Sequence, residues 1–259
     1  MPDAPPTRAA IGYTQKMLDL ASSLSQIPET HREAPWAGYE YVKGWAVLAL
    51  PFDSGHVLGL RVLPEGNFVP YRALWHRDPQ GRWAIYVDRQ KVRACTKYYG
   101  AACDLTAYRP MQIEWTGPAE VRVTMDQPAV VWTFKARSDW RLHLVNAVNA
   151  ALPLATWRSK LLVRGRERIA KALGLGDLRL SGLTPSGHIG TLMPEQMYFI
   201  DDSTASFDGV DLGKPVHLIE NPKIGSVTLP ARGALARGKA MWRIGDEGEL
   251  ERRLQEAVS

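Results

Sequence analysis

Between Gly38 and Arg137 the apolar residues of this chain come in short alternating runs, each cut by a turn. Alternation of period two marks strands with one face buried. Tyr39–Leu50 and His56–Leu63 flank the turn Pro51-Phe52-Asp53-Ser54-Gly55, and Pro64-Glu65-Gly66-Asn67 follows. Tyr71–Arg77 and Arg82–Asp88 flank Asp78-Pro79-Gln80-Gly81, the clearest hairpin signal in the chain. Met111–Thr116, Glu120–Met125 and Val130–Ala136 continue the series, separated by Gly117-Pro118-Ala119 and Asp126-Gln127-Pro128. Trp140–Leu144 reads as one more short strand. The whole stretch predicts an antiparallel meander.

Helical spacing replaces alternation in three places. Ile11–Ser25 carries Met17, Leu18, Leu20, Ala21 and Leu24. Asn146 to Leu173 is helical in composition, with a break expected near Pro153; Leu154, Trp157, Leu161, Leu162, Ile169 and Leu173 form its apolar stripe. Glu247–Ala257 closes the chain. Between them, Asp177–Leu183, Met197–Asp201 and Ser206–Val210 read as strands, and Gly213 to Arg237 as loop. The expectation is one domain over 1–259, loose at 1–10, with 146–173 inserted between two β-rich portions. Its class is mainly β (α+β): an antiparallel barrel or strongly curved sheet with N-terminal, inserted and C-terminal helices. At the level of architecture alone this resembles calycin-type barrels, whose interior can hold one small ligand.

The hairpin permits a finer expectation. If Arg77 lies opposite Arg82, His76 faces Trp83, Leu74 faces Ile85 and Arg72 faces Val87, while Trp75–Ala84 and Ala73–Tyr86 share the other side. His76 and Arg72 then point into the interior. His76, with His56 on the preceding strand, becomes a general acid/base candidate because imidazole titrates near neutrality, and Arg72 or Tyr86 a group that orients or stabilises an oxyanion. Trp45, Leu74, Trp83, Ile85 and Tyr86 would line the ligand site. Trp132, His188 and Met197 would complete it, the methionine as an adaptable wall. Lys43, in step with Tyr41 and Trp45, reads as an edge-strand lysine reaching water rather than a Schiff-base amine.

Composition narrows the setting. The chain has 259 residues, 45% hydrophobic and 23% charged, with a net charge of +5. That is the balance of an ordinary globular protein. Two cysteines, Cys95 and Cys103, are too few for a disulfide scaffold and fit no common zinc spacing. The opening MPDAPPTRAA lacks the apolar core of a signal peptide, and no apolar run approaches the roughly 20 residues of a membrane span. A cytoplasmic location follows as the expectation. No phosphate loop, dinucleotide fingerprint, HExxH or GxSxG occurs. Ser54-Gly55-His56 and Ser186-Gly187-His188 read as turn residues. Neither a metal nor a cofactor is implied.

One segment departs from the average. Trp157 to Lys171 holds six basic residues and one acidic, a net +5 that equals the excess of the whole chain. With Trp157, Arg158, Arg164 and Arg168 at its surface, this amphipathic helix would suit an anionic membrane. It resembles no nucleic-acid module. The sequence thus favours a lipophilic small molecule held in a β-barrel-like cavity, with acid/base chemistry such as isomerisation, hydration or cyclisation left open. The alternative is a peripheral membrane or interaction protein without such a site.

Overall fold

The computed structural model describes residues 18–90 and 94–245. Its elements in chain order are α1 (Ala21–Leu24), β1 (Thr30–His31), β2 (Tyr39–Pro51), β3 (Val57–Gly66), β4 (Tyr71–Arg77), β5 (Trp83–Val87) and α2 (Ala94–Tyr99). They continue with β6 (Leu105–Tyr108), β7 (Met111–Gly117), β8 (Glu120–Met125), β9 (Val130–Arg137), α3 (Trp140–Ala151) and α4 (Lys160–Ala172). Last come β10 (Ser181–Leu183), β11 (Ile189–Phe207), β12 (Val210–Asp211), β13 (Lys223–Ile224), β14 (Val227–Thr228) and β15 (Ala234–Arg243). The fold is mainly β, a strongly curled half-barrel sheet accompanied by helices.

Two meanders form the wings of this sheet, and its order is β6-β5-β4-β3-β2-β15-β11-β9-β8-β7. The join is made by the chain's last described strand. β15 pairs antiparallel with β2 on one side and with β11 on the other. β11 is long enough to serve two partners, β15 along Gly190–Phe199 and β9 along Phe199–Phe207. Bulges at Pro194/Gln196 and Ile200/Asp202 bend it between them. Pro194 is tolerated in this central strand because the bulge removes the need for a ladder N–H.

Glycine permits the tightest approach. Gly44 and Gly238 are direct partners across β2 and β15. A Cβ on Gly44 would lie 2.0 Å from the Val62 carbonyl oxygen, and one on Gly238 would lie 2.2 Å from that of Met193. Both obstacles are backbone, so neither can step aside cheaply.

The two sheet faces bury different matter. On one, Trp45, Val47, Leu58, Leu60, Leu74, Trp132, Phe134 and Tyr198 pack into the largest core cluster. On the other, small residues alternate with gaps: Ala46 and Ala236 sit opposite each other, as do Val42 and Ala240. This second face is covered by α2, by α3 and α4, and by the segments carrying β10, β13 and β14.

Several expectations change. The hairpin register is shifted by one: Arg77 pairs with Trp83, His76 with Ala84, Trp75 with Ile85, Leu74 with Tyr86 and Ala73 with Val87. Asp78 joins the ladder, accepting the Arg82 N–H on its side chain (2.9 Å), which leaves a three-residue loop ending at Gly81 with φ 89°. His76 and Leu74 are thereby separated from Trp83 and Ile85, which face the other way. Trp140–Leu144 is the start of helix α3, capped by the Asp139 carboxylate on the Leu142 N–H (3.0 Å), not a strand. Gly213 to Arg237 is not all loop, since it holds the β13–β14 hairpin and the start of β15. Asp177–Leu183 contracts to Ser181–Leu183, and Met197–Asp201 and the start of Ser206–Val210 fall within one strand. The pairing is not wholly antiparallel, as β5–β6 and β1–β3 run parallel. Of the predicted helix Ile11–Ser25 only the turn at Ala21–Leu24 is described; residues 1–10 and Glu247–Ala257 lie outside the described residues.

The close approach of the Val62 carbonyl to Gly44 sets a stability test. Gly44→Ala is expected to lower unfolding stability by more than about 2 kcal/mol, because backbone must move. Gly165→Ala, in α4 with open space around it, is expected to raise stability by about 0.5–1 kcal/mol. Urea denaturation of both variants measures the contrast; equal midpoints would refute the close-approach account.

Candidate functional site

The second face carries a partly open apolar cavity of about 130 Å³. Its floor is the small-residue strip of β2 and β15, with Ala46, Ala236, Gly238 and Ala240. Leu180, Leu183, Val227 and Leu229 cover it from the β10 and β14 segments, and Tyr71, Trp75, Cys95, Tyr99 and Trp242 form one wall. The cover is tied down locally: Ser226 Oγ donates to the Leu183 carbonyl (2.7 Å), and the Leu192 N–H to that of Leu180 (2.7 Å).

Arg61 is the one strongly basic group on the wall side. It sits mid-strand in β3, opposite Ala46 and Ala73. Just there the β2–β3 register breaks between Val47 and Leu50, which frees carbonyls from the ladder. The guanidinium takes them. Its Nη1 donates to Val47 and to Leu60 (3.0 Å), and its Nη2 to Leu48 (3.2 Å). The Arg61 Cζ also lies 4.4 Å from the centre of the Trp75 ring. Burial pushes its pKa down, with Cys95, Tyr99 and Tyr71 pulling the other way. An arginine keeps its charge regardless. Its residual accessible surface faces the cavity it borders.

The neighbours are neutral. Burial raises the Tyr71 and Cys95 pKa values and lifts that of Tyr99 to about 12. The Tyr71 hydroxyl and Cys95 Sγ are 3.2 Å apart. This buried thiol is protonated and inert at neutral pH. The buried indole N–H of Trp75 is turned to the Cys95 thiol and that of Trp242 to the Tyr99 hydroxyl, each as a weak hydrogen bond.

Of the sequence candidates, Trp45 alone borders this cavity. Leu74 and Trp132 are core, Trp132 donating to Ser203 Oγ (3.0 Å). Trp83 and Ile85 pack with α2 on the opposite side of β5 from Tyr86, and Trp83 Nε1 donates to the Lys223 carbonyl (2.7 Å). Tyr86 packs near Phe207, Met197 lies in the core under α3, and His188 is held by its own turn through Ser186 Oγ (2.9 Å). Lys43 is not on an edge: it lies in central β2 and pairs with Glu65 (3.4 Å), which also accepts the Tyr41 hydroxyl (2.7 Å). Arg61, Trp75 and Trp242 were missed. A lone arginine inside Val57-Leu58-Gly59-Leu60-Arg61-Val62-Leu63 was the available signal.

A second cleft of about 250 Å³ is bordered by Trp45, Arg72, Asp88 and Trp115. It is larger but less suited to a guest, because its charges satisfy each other. The Arg72 N–H donates to Asp88 (2.8 Å), and the two side chains lie 3.9 Å apart.

His56 and His76 do meet. His56 Nδ1 and His76 Nε2 are 2.8 Å apart, and Phe207 stacks on His76 at 3.9 Å. The pair belongs to the first sheet face and borders neither cavity. Burial, reinforced by His56, lowers the His76 pKa to about 4, with Asp78 and Asp208 pulling weakly upward. Burial lowers that of His56 as well. At neutral pH both rings are uncharged and share one N–H···N bond.

No family model, curated protein or solved structure matches this chain. Among the described residues no group of three or more histidines, cysteines or acids could hold a metal ion. No described helix is long and apolar enough to cross a membrane.

The histidine pair yields a pH test. Between the ordinary 6.5 and about 4, unfolded chain binds a proton that folded His76 refuses. Folding stability therefore falls as pH drops through that window. His76→Gln is expected to remove on the order of 2 kcal/mol of this dependence. Urea titrations at pH 7 and pH 4.5 check it, and an unchanged slope would show that His76 titrates normally.

Proposed function

We propose that the protein binds a lipophilic small molecule in the cavity between the small-residue strip of β2 and β15 and the β10–β14 cover. The observation that carries this reading is a recess walled by aromatic and aliphatic side chains over alanines and glycines. Core positions in a close-packed domain are normally filled. A string of small residues under a cover leaves room that a guest occupies, as concave apolar sites with a few polar groups generally do. The curled half-barrel is compatible with such a cavity. The site moves from the His76 hairpin face to the Arg61 face. The histidine pair does not border it, so this reading is one of binding, with no catalytic role assigned.

A second reading is supported by the helices. Trp140, Leu144 and Val148 recur every fourth residue on α3 with 73%, 59% and 47% exposure. On α4 the buried positions are Val163 and Ala170, while Leu161, Leu162 and Ile169 of the expected inward stripe are exposed. Exposed Arg158, Lys160, Arg164 and Arg168 surround them. Trp157 is half-buried instead, under the Arg166 guanidinium at 4.1 Å. Outward leucine and tryptophan among uncompensated cations fit the headgroup region of an anionic bilayer.

Two measurements test these readings. The neutral fluorophore N-phenyl-1-naphthylamine is expected to bind the wild type at one site, and Ala236→Phe to weaken it at least about tenfold by filling the floor. No binding to the wild type would end the cavity reading. Vesicles with anionic phosphatidylglycerol are expected to retain the protein while neutral phosphatidylcholine vesicles do not, with retention lost as salt rises from about 0.1 to 0.5 M. Leu144→Glu with Leu161→Glu is expected to abolish it; equal retention by both vesicles would refute the electrostatic component.

A further inference from the structure

The cavity's polar groups are biased. Its charged groups are all cations: Arg61, Arg179 and Lys239. Arg179 pairs with Glu167 (3.5 Å) and Lys239 with Glu195. Among the described residues, Arg61 is paired with no carboxylate; its only acceptors are the carbonyls of Val47, Leu48 and Leu60. A guanidinium carries five N–H donors, so three bonds do not exhaust it. An enclosed positive charge with no anion beside it is costly to maintain. Here such a charge borders an apolar recess.

We propose that the ligand of this cavity is a lipophile bearing a carboxylate, with Arg61 as its anchor. This rests on the cavity reading above and names its ligand class. The bulge in β2 explains how the anchor is held. Because the carbonyls of Val47 and Leu48 lock the guanidinium, and Trp75 stacks on it, its remaining donors are fixed in direction. A preoriented guanidinium recognises carboxylate geometry far better than a mobile amine does. The purely structural alternative, a guanidinium that only fills the bulge, predicts no preference for charge in the guest.

Three eight-carbon probes separate the ideas: octanoate, 1-octanol and octyltrimethylammonium, titrated into the full chain by calorimetry. The wild type is expected to bind octanoate about tenfold or more tighter than octanol, and the cation weakest, as one charge-assisted hydrogen bond implies. Arg61→Gln is expected to bind octanoate and octanol alike, with octanol within about threefold of the wild type, the charge-assisted bond alone being lost. Equal binding of octanoate and octanol by the wild type would overturn the carboxylate anchor and leave the cavity reading standing. Binding of none of the three would overturn both. If Arg61→Gln does not fold, the order of the three probes on the wild type still decides.

Discussion

Backbone pairing of β15 with β2 on one side and β11 on the other holds the two halves of the sheet together. Without it the chain would be two separate meanders, each with an open edge. The strand that performs this join is also the one that lays the cavity floor. Both roles draw on the same property: Ala234, Ala236, Gly238 and Ala240 are small. Gly238 lets the Met193 carbonyl of β11 come in close, and the small side chains leave empty space above the strand.

The two faces of the sheet divide the labour by volume. One carries Trp132, Phe134, Leu58, Leu60 and Leu74, nearly all fully buried, and is packed as a core. The other carries alanine and glycine in its central strands and meets a cover of short strands and helices that does not descend to fill the gap. A bulge in β2 turns two carbonyls toward this face, and Arg61 answers them from β3. The charge at the site therefore originates in an irregularity in the pairing of β2 with β3, and its shape in the small side chains of β2 and β15.

Much of the architecture was legible in the residues, because alternation and turn chemistry are local. The β2–β5 and β7–β9 meanders, the break near Pro153 and the curled, mainly β class all follow from such signals. The hairpin register did not, because Asp78 pairs with Arg82, its N–H donating to the Arg82 carbonyl and its carboxylate accepting the Arg82 N–H, which shortens the loop and turns every later side chain over. Strand β15 did not either. Its pattern is broken by Arg237, Gly238 and Lys239, and it gains stability from partners nearly two hundred residues away. The stripe of 154–173 held only in part: Leu173 is buried and Leu154 and Trp157 pack against the core, whereas Leu161, Leu162 and Ile169 are exposed and Val163 and Ala170 are buried in their place.

The residues by themselves determined the two meanders and the helical character of 146–173, since backbone preference and apolar period act over a few neighbours. The position of the site was decided only by the tertiary structure. An empty space is a property of side chains that fail to meet, and those of Ala46, Arg61, Leu183 and Trp242 come together only when distant strands pair. A single arginine amid aliphatic residues hinted at that place; its lack of a carboxylate partner among the described residues became visible only in the folded chain.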